Sequence, residues 1–277
     1  MIRRDLAFSI DFEPYVEAME ESFPIAAEAP RFDVEDELTA NLERCLELLA
    51  RHGVRGTFFV LGWIAERFPR LVREIAAAGH EIGSHSFHHR RLWALPEAEA
   101  REAIRRSKTA LEDAAGVPVV GFRAPDFSLR PDSPLLAYLA ESGFAYDASL
   151  NPTTLHDVYA TGGGRRGVHR LSGLLEFPPA SVALPGGATL TVGGGGYFRL
   201  FPGWLTRRWL RRSADPNCYL HPYEIGGRFP RGLSMSLARR WRHHYGNGRL
   251  DGKLAALFAA FRALFFRDYL RLHYGLA

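Results

Sequence analysis

The most informative stretch of this sequence is Gly79-His80-Glu81-Ile82-Gly83-Ser84-His85-Ser86-Phe87-His88-His89, where a short apolar run ends among histidines. His85 and His89 lie four residues apart, and on one helical turn this spacing would place both imidazoles on the same face. Two such imidazoles can supply two of the three protein ligands of an open zinc-type site. An isolated pair is more often a pair of polar loop residues, because surface histidines are common. The surrounding sequence must therefore decide between a metal site and a polar loop.

Segments of strand and helix periodicity alternate on both sides of this stretch. Residues 6–12 form a buried apolar run that Pro14 ends. Residues 15–34 lack periodicity, which predicts a long surface loop. Helix-spaced leucines follow between Glu35 and Gly53. Strand and helix patterns alternate five times in the first half of the chain, and this predicts a parallel α/β architecture.

The composition is that of one large globular domain. Of the 277 residues, 47% are hydrophobic and 24% charged, which provides enough apolar side chains for a sizeable core. The net charge is +4, and the arginines are scattered or lie on predicted helices. We therefore predict no nucleic-acid partner, whereas an anionic polymer and a membrane surface are equally compatible with this charge. The oligomeric state does not follow from the sequence.

Cysteine usage and the start of the chain bear on the compartment. Cys45 and Cys218 lie far apart, and we predict that both are buried thiols in a reducing environment. The chain enters a strand-like segment without a signal-peptide core, and no apolar run is long enough to span a bilayer. We therefore predict a cytoplasmic protein without a transmembrane segment, compatible with peripheral membrane association, unless a leader was removed.

Polar residues of catalytic types follow the predicted strands at the points where the strands end. They are Asp11 and Glu13, His85 and His89, Arg123, Asp147, and His221. Parallel α/β sheets place their active sites at the carboxyl ends of the strands. This placement favours a shared site over a polar loop for the histidine pair.

The order of these motifs resembles that of the polysaccharide deacetylases of the NodB-homology type. The matching segments are Ser9-Ile10-Asp11-Phe12-Glu13, His85-Ser86-Phe87-His88-His89, Arg123-Ala124-Pro125, Tyr146-Asp147 and Leu220-His221. The resemblance covers about residues 5–225 and implies a distorted, incomplete (β/α) barrel. Residues 226–277 would form a C-terminal helical extension that covers one end of the barrel, within a single domain spanning 1–277.

Shorter phrases later in the chain narrow the resemblance. They are Glu-Phe-Pro at 176–178, Gly-Gly-Tyr-Phe-Arg at 195–199 and Tyr-Leu-His-Pro-Tyr-Glu-Ile at 219–225. These phrases look most like the branch associated with bacterial exopolysaccharide gene clusters of the exosortase/PEP-CTERM kind. The resemblance thus implies a hydrolase that removes N-acetyl groups from an amino-sugar polysaccharide or its precursor.

Removing an acetyl group from an N-acetyl sugar is amide hydrolysis, which needs an activated water. The resemblance implies that a divalent metal, with zinc as the first candidate, activates this water. His85, His89 and an acid would hold the metal, and Glu13 is the predicted third ligand. The commonest family form has two adjacent aspartates, whereas here Phe12 separates Asp11 from Glu13. The third ligand is therefore a departure from the family pattern.

Amide hydrolysis also needs a base for the water and an acid for the leaving amine. Asp11 is the predicted base, and Arg123 would pair with it and orient it. His221 is the predicted acid, because it is the one other motif histidine on a different strand end, and Asp147 would orient it. The alternative for Arg123 and Asp147 is a simple buried ion pair.

Two glycine-rich segments, 150–170 and 193–199, are predicted to form the rim that selects substrate. The plain run 193–196 lacks the Lys-Ser/Thr pair of a phosphate loop. Tight packing of this run and close approach of a bulky ligand to its backbone are equally compatible with its glycines. Tyr159, Tyr197 and Phe198 could stack on sugar rings. The predicted substrate contacts are Pro125, Tyr197, Phe198 and Arg199.

The departure from the acidic pair leaves two other functions open. Some relatives without the usual pair hydrolyse C–N bonds of ureides and are thought not to need a metal, so a metal-independent amidohydrolase of small ureides or amides is one alternative. A carbohydrate-binding relative that kept the pocket and lost turnover is the other. Metal content and acetate release from N-acetylated glycans distinguish the three hypotheses.

Overall fold

The structure is a computed structural model and describes residues 3–20, 33–154, 164–230 and 236–276. A sheet of nine strands forms the framework of this part of the chain, and two further strands, β8 and β9, pair with each other. The strands β1 to β11 are, in chain order, Arg4–Phe12, Thr57–Val60, Glu81–Ser84, Gly121–Phe122, Tyr146–Asp147, His169–Leu171, Leu174–Glu176, Ser181–Ala183, Thr189–Thr191, Asn217–Leu220 and Phe261–Leu264.

Helices connect most of the strands. The helices α1 to α12 are, in chain order, Tyr15–Glu20, Val34–Arg51, Gly62–Arg67, Pro69–Ala77, Glu97–Ala115, Pro134–Glu141, Gly195–Leu200, Gly203–Arg212, Pro222–Gly226, Leu237–His244, Asp251–Ala260 and Phe266–Tyr274. Local sequence explains their ends. The side chain of Asp33 caps α2 by accepting hydrogen bonds from the backbone N–H groups of Glu35 and Asp36. Gly116 ends α5 with a φ of 68°, a conformation that glycine adopts without strain.

The sheet is open and curled, with the strand order β10-β1-β2-β3-β4-β5-β7-β6. Strand β1 lies near one end of this order and also pairs with β11 along Arg4 to Ala7. Among the sheet's pairs, β6 with β7 is antiparallel, while the pairs of β1, β2, β3, β4 and β5 with their neighbours are parallel. Carboxyl ends of parallel strands meet at one edge, which brings the motif residues together. The predicted distorted, incomplete barrel is confirmed.

Two apolar clusters pack on the sheet. The larger one contains Phe58 and the buried faces of α2, α4 and α5. The smaller one contains the next residue, Phe59, because side chains alternate between the two faces of a strand. Its centre is aromatic, with the rings of Phe177 and Phe266 4.6 Å apart. Phe266 belongs to α12, so the end of the chain fills the second side of the sheet.

Two features of the fold differ from the sequence predictions. Within the predicted loop 15–34, the described part includes α1, whose Tyr15 is buried, while residues 21–32 lie outside the described residues. The C-terminal extension is not all helical, since Phe261–Leu264 is a strand of the main sheet. Cys45 and Cys218 are buried free thiols, as predicted. Within the described ranges, no helix combines the length and hydrophobicity needed to cross a membrane.

The glycine run after β9 is tightly packed against β10. Gly194 forms a parallel bridge with Tyr219, and a Cβ on Gly194 would lie 1.8 Å from an atom of the Tyr219 ring. A Cβ on Gly193 would lie 2.1 Å from the carbonyl oxygen of Asn217. These short distances leave no room for a Cβ at either position, so close packing alone accounts for the two glycines, without a ligand.

We predict that Gly194→Ala lowers the free energy of unfolding by roughly 1–3 kcal/mol, because the buried Tyr219 ring must move. Urea denaturation measures the change. Gly252 is the matched control: it lies in α11, and a Cβ there meets no atom within 4 Å. Gly252→Ala should leave stability unchanged or raise it by less than about 1 kcal/mol. Equal stabilities of the two variants would show that the close packing at Gly194 is not required.

Candidate active site

A buried cluster of one carboxylate and two imidazoles lies at the ends of β1 and β3. Nε2 of His85 and Nε2 of His89 are each 3.2 Å from Oε2 of Glu13. The ligand atoms of the three residues all lie within 4.8 Å of one another, and all three side chains are buried. One carboxylate with two imidazoles is a donor set found in catalytic zinc sites.

The two histidines reach this position from a bend, not from a helical turn. Ser86, directly after His85, has a φ of 65°, a left-handed conformation that turns the chain. The carbonyl oxygens of Ser86 and Phe87 accept hydrogen bonds from the backbone N–H groups of Gly62 and Trp63. The prediction that both imidazoles share one helical face is therefore wrong, although the two rings still converge, with centroids 5.5 Å apart.

The surroundings of the cluster fit a cation. Oε2 of Glu13 is buried and has no well-aligned hydrogen bond within the described residues, so a cation among the three ligand atoms would satisfy it. Burial acts to raise the pKa of Glu13, but the charges of His89 and His85 outweigh burial and lower it to about 2. The carboxylate is therefore ionised at neutral pH. Nδ1 of His85 lies 2.7 Å from the carbonyl oxygen of Arg123 and donates to it, so in the neutral imidazole, the form that binds a metal, the lone pair is on Nε2.

Asp11 and Arg123 form a buried ion pair beside the cluster. Nη1 of Arg123 donates to Oδ1 of Asp11 at 2.6 Å and to Oγ of Ser9 at 2.9 Å. The guanidinium carbon lies 4.2 Å from the centroid of the Phe59 ring, so aromatic packing also fixes the arginine. The predicted contact between Asp11 and Arg123 is present, and it holds the carboxylate in one orientation.

His221 faces the cluster from the end of β10. Its Nε2 lies 3.6 Å from Oε1 of Glu13, and its Nδ1 lies 2.9 Å from Oε2 of Glu224. Burial acts to lower the pKa of His221, but the Glu224 carboxylate outweighs burial and raises it to about 9. The imidazole is therefore protonated at neutral pH, with Nδ1–H donated to Glu224 and Nε2–H directed toward the site.

Asp147 does not orient His221, contrary to the prediction, because its carboxylate serves a different contact. Oγ of Ser149 donates to Oδ1 of Asp147 and accepts a hydrogen bond from the backbone N–H of Ala124 at 2.7 Å. Burial raises the pKa of Asp147, and Glu176 beside it has its pKa raised further by burial and by the Asp147 charge. Asp147 thus supports the turn that follows Arg123.

The predicted substrate contacts have different outcomes. Phe198 is 2% exposed and belongs to the core, so its predicted stacking on a sugar is wrong. Arg199 is also buried and donates to the Glu224 carboxylate, so direct substrate binding is wrong for it as well. Tyr197 is half-buried, with its ring stacked 6.0 Å from that of Phe201, and its substrate contact stays a prediction.

Pro125 is buried as the first residue of a 3-10 turn, Pro125–Phe127, and its contact with substrate stays a prediction. Of the predicted rim, residues 155–163, with Tyr159, lie outside the described residues. The second rim segment, 193–199, consists of the packed glycine run and most of α7. The rim itself therefore stays a prediction.

Sequence reasoning missed two carboxylates that contact the site histidines. Glu224 lies in the phrase at 219–225, but the sequence pattern predicts no role for it. Glu17, on α1, accepts a hydrogen bond from the backbone N–H of His89 at 3.0 Å and lies 3.4 Å from Nδ1 of His88. The loss of periodicity after Pro14 concealed α1, and no spacing rule links Glu17 to a histidine 72 residues later.

Comparison with known proteins gives the family of part of the chain. Residues 31–146 match the family model described as polysaccharide deacetylase, and residues 148–271 match one described as a domain of unknown function, DUF3473. The chain thus contains the homology region of the polysaccharide deacetylases, and residues 31–146 belong to that family. The resemblance to the NodB-homology deacetylases is confirmed at this level.

A curated relative is the peptidoglycan-N-acetylglucosamine deacetylase of Bacillus cereus, which is 40% identical over 88 residues, 32% of this chain and 30% of the relative. The chain therefore aligns with about a third of that protein. A solved structure from Mycobacterium smegmatis, assigned to the polysaccharide deacetylases, superposes with a TM-score of 0.60 at 23% identity and covers 95% of this chain and 86% of its own. A family 4 carbohydrate esterase pseudoenzyme from Bacillus anthracis has a TM-score of 0.50 at 15% identity, covering 97% of this chain and 66% of its own. These two structures show the fold alone.

Proposed function

We propose that this protein hydrolyses N-acetyl groups of an amino-sugar polysaccharide or its precursor, with a divalent metal and zinc as the first candidate. The observation that carries the proposal is the buried cluster of Glu13, His85 and His89. A base candidate, Asp11, and an acid candidate, His221, lie at neighbouring strand ends. The donor set of this cluster and the ionised carboxylate of Glu13 suit a metal, which would lower the pKa of a water molecule and polarise the acetyl carbonyl.

The side chains of this chain have complementary tasks in amide hydrolysis. Asp11, fixed by Arg123, accepts a proton from the attacking water. His221 donates the proton on Nε2 to the nitrogen of the leaving amine, because an amide anion is too basic to leave. One group must be ionised and the other protonated at the same pH. The ion pair at Asp11 and the raised pKa of His221 support this division.

Three observations support a glycan substrate. The relative from Bacillus cereus is named for N-acetylglucosamine in peptidoglycan, which is an N-acetylated amino sugar in a polymer. The cluster lies at the carboxyl-terminal edge of a sheet whose strand order does not close into a barrel within the described residues. The phrases at 176–178, 195–199 and 219–225 all fall inside the second matched region, 148–271. They support our proposal that the chain belongs to the exosortase/PEP-CTERM exopolysaccharide branch, and the cytoplasmic location stays a prediction.

We expect the purified protein to bind about one zinc per chain and to release acetate from N-acetylglucosamine oligosaccharides. Elemental analysis and an enzymatic acetate assay measure the two quantities. Removal of the metal with a chelator should abolish acetate release, and added zinc should restore it. Acetate release that persists without metal would favour the metal-independent amidohydrolase. Metal and glycan binding without any turnover would favour an inactive relative, an outcome that the pseudoenzyme of the same fold makes worth testing.

A further inference from the structure

The carboxylate that contacts His221 is that of Glu224, three positions later in the chain. Oε2 of Glu224 accepts hydrogen bonds from both the backbone N–H and Nδ1 of His221, each at 2.9 Å. His221 is the N-cap of α9, so the contact forms within one turn of the chain. The Tyr223 ring stacks on the imidazole at 5.1 Å with an interplanar angle of 6°. The ring orientation of His221 is thus set from both its edge and its face.

A buried arginine fixes the second oxygen of the same carboxylate. Nε of Arg199 donates to Oε1 of Glu224 at 2.5 Å, and Nη1 of Arg199 donates to the carbonyl oxygen of Tyr245 at 2.6 Å. Arg199 and Glu224 are 6% and 1% exposed, so solvent does not compete for this ion pair. Lys253 donates to the carbonyl oxygens of Phe198 and Arg199, which ties α7 to the C-terminal segment. The orientation of Glu224 therefore depends on residues outside the five motifs.

We propose that Glu224, held by Arg199, is the positioning residue for His221 in this enzyme, and that it has the role predicted from the sequence for Asp147. This inference rests on the proposed function. The carboxylate accepts Nδ1–H, so Nε2–H is the proton directed at the reaction site. The proton passes from Nε2 to the nitrogen of the tetrahedral intermediate as the C–N bond breaks and its electron pair returns to nitrogen, so the product leaves as a neutral amine. His221 is then neutral and Glu224 stays ionised.

A positioning role can be distinguished from a structural one by the leaving group. An amine must be protonated as it leaves, whereas the phenolate of 4-nitrophenyl acetate leaves without a proton. Both substrates require the same water, base and metal. A residue that acts through the acid therefore affects the N-acetyl substrate alone, and a residue that only maintains the fold affects both.

We expect Glu224→Gln to lower kcat for an N-acetylglucosamine oligosaccharide roughly 10–100-fold, the usual size for loss of an orienting partner. Turnover of 4-nitrophenyl acetate by the same preparation should change less than about twofold, and KM should change little, since Glu224 lies behind the imidazole and not at the substrate. Glu224→Asp, which keeps the charge, should recover part of kcat. His221→Ala should show the same dependence on the leaving group with a larger loss.

Asp147→Asn is the matched control, because it neutralises a buried carboxylate that does not contact His221. Any loss in this variant should be equal for the two substrates. Equal losses for the two substrates in Glu224→Gln, or a loss selective for the amide in Asp147→Asn, would overturn the positioning role of Glu224. Arg199→Met tests the contact between Arg199 and Glu224 and should reproduce the amide-selective loss of Glu224→Gln. If the wild-type protein turns over 4-nitrophenyl acetate and releases no acetate from any N-acetyl glycan, the proposed function fails instead.

Discussion

Replacing Asp11 by asparagine should lower kcat for acetate release by roughly two to four orders of magnitude, the usual contribution of a general base. The variant should still bind metal. Asparagine keeps an oxygen that can accept the hydrogen bond from Arg123, so the geometry of the site is preserved and only the proton acceptor is lost. Because the missing function is proton removal, KM should change much less than kcat.

Steady-state kinetics and elemental analysis on the same preparation test this prediction. Ser9→Ala is the control, because Oγ of Ser9 accepts a hydrogen bond from the same Nη1 of Arg123 but cannot act as a carboxylate base. This variant should lose much less kcat than Asp11→Asn, because it keeps the carboxylate and its ion pair with Arg123. Loss of metal in Asp11→Asn would show instead that Asp11 is a ligand.

Much of the site follows from the order of the motifs. Asp11, His85, Arg123 and His221 end strands that the sequence pattern already predicts, and a parallel sheet brings such ends to one edge. Burial of the strands on both faces produces the continuous apolar runs by which they are recognised. The candidate metal ligands and the ion pair of Asp11 with Arg123 could therefore be named from the sequence.

The partners behind these residues could not be predicted, because they depend on side-chain directions that no periodicity encodes. The sequence contains two carboxylates that could contact His221, Asp147 and Glu224, and only Asp147 lies in the five matched motifs. In the structure the Ser149 hydroxyl donates a hydrogen bond to Asp147. The turn at the start of α9 places the Glu224 carboxylate within hydrogen-bond distance of Nδ1 of His221. In the same way, Arg199 looked like a substrate contact by its position beside glycines, although α7 directs it into the protein.

In the C-terminal segment, local sequence predicts the wrong secondary structure. The run from Asp251 to Tyr274 is rich in alanine, leucine and phenylalanine, a composition that favours helix throughout. The structure interrupts it with β11, since residues 4–7 of β1 offer backbone hydrogen bonds along an edge that β2 does not cover. Such long-range strand pairing overrides local helix propensity, and no local sequence pattern predicts it.

Replacing Glu13 by glutamine should weaken zinc binding strongly and make activity depend on added metal. The carboxylate supplies the single negative charge among the three ligand atoms, and its Oε2 contacts both imidazoles. Loss of a direct ligand should exceed the 10–100-fold loss of affinity that is usual for an outer partner of a ligand. His89→Ala should behave in the same way, because it removes an imidazole whose Nε2 lies 3.2 Å from Glu13.

Zinc titration followed by thermal unfolding measures affinity without relying on catalysis. Wild-type protein at a zinc concentration one hundred times its Kd should gain about 2.7 kcal/mol of stability, and the two variants should gain much less at that concentration. His88→Ala is the matched control: it removes the neighbouring imidazole, which is exposed and lies outside the cluster, and should keep the wild-type response. If Glu13→Gln keeps its affinity while Asp11→Asn loses it, the ligand and base roles are exchanged. If neither changes zinc binding, the metal does not depend on this carboxylate cluster, and hydrolysis without metal becomes the better explanation.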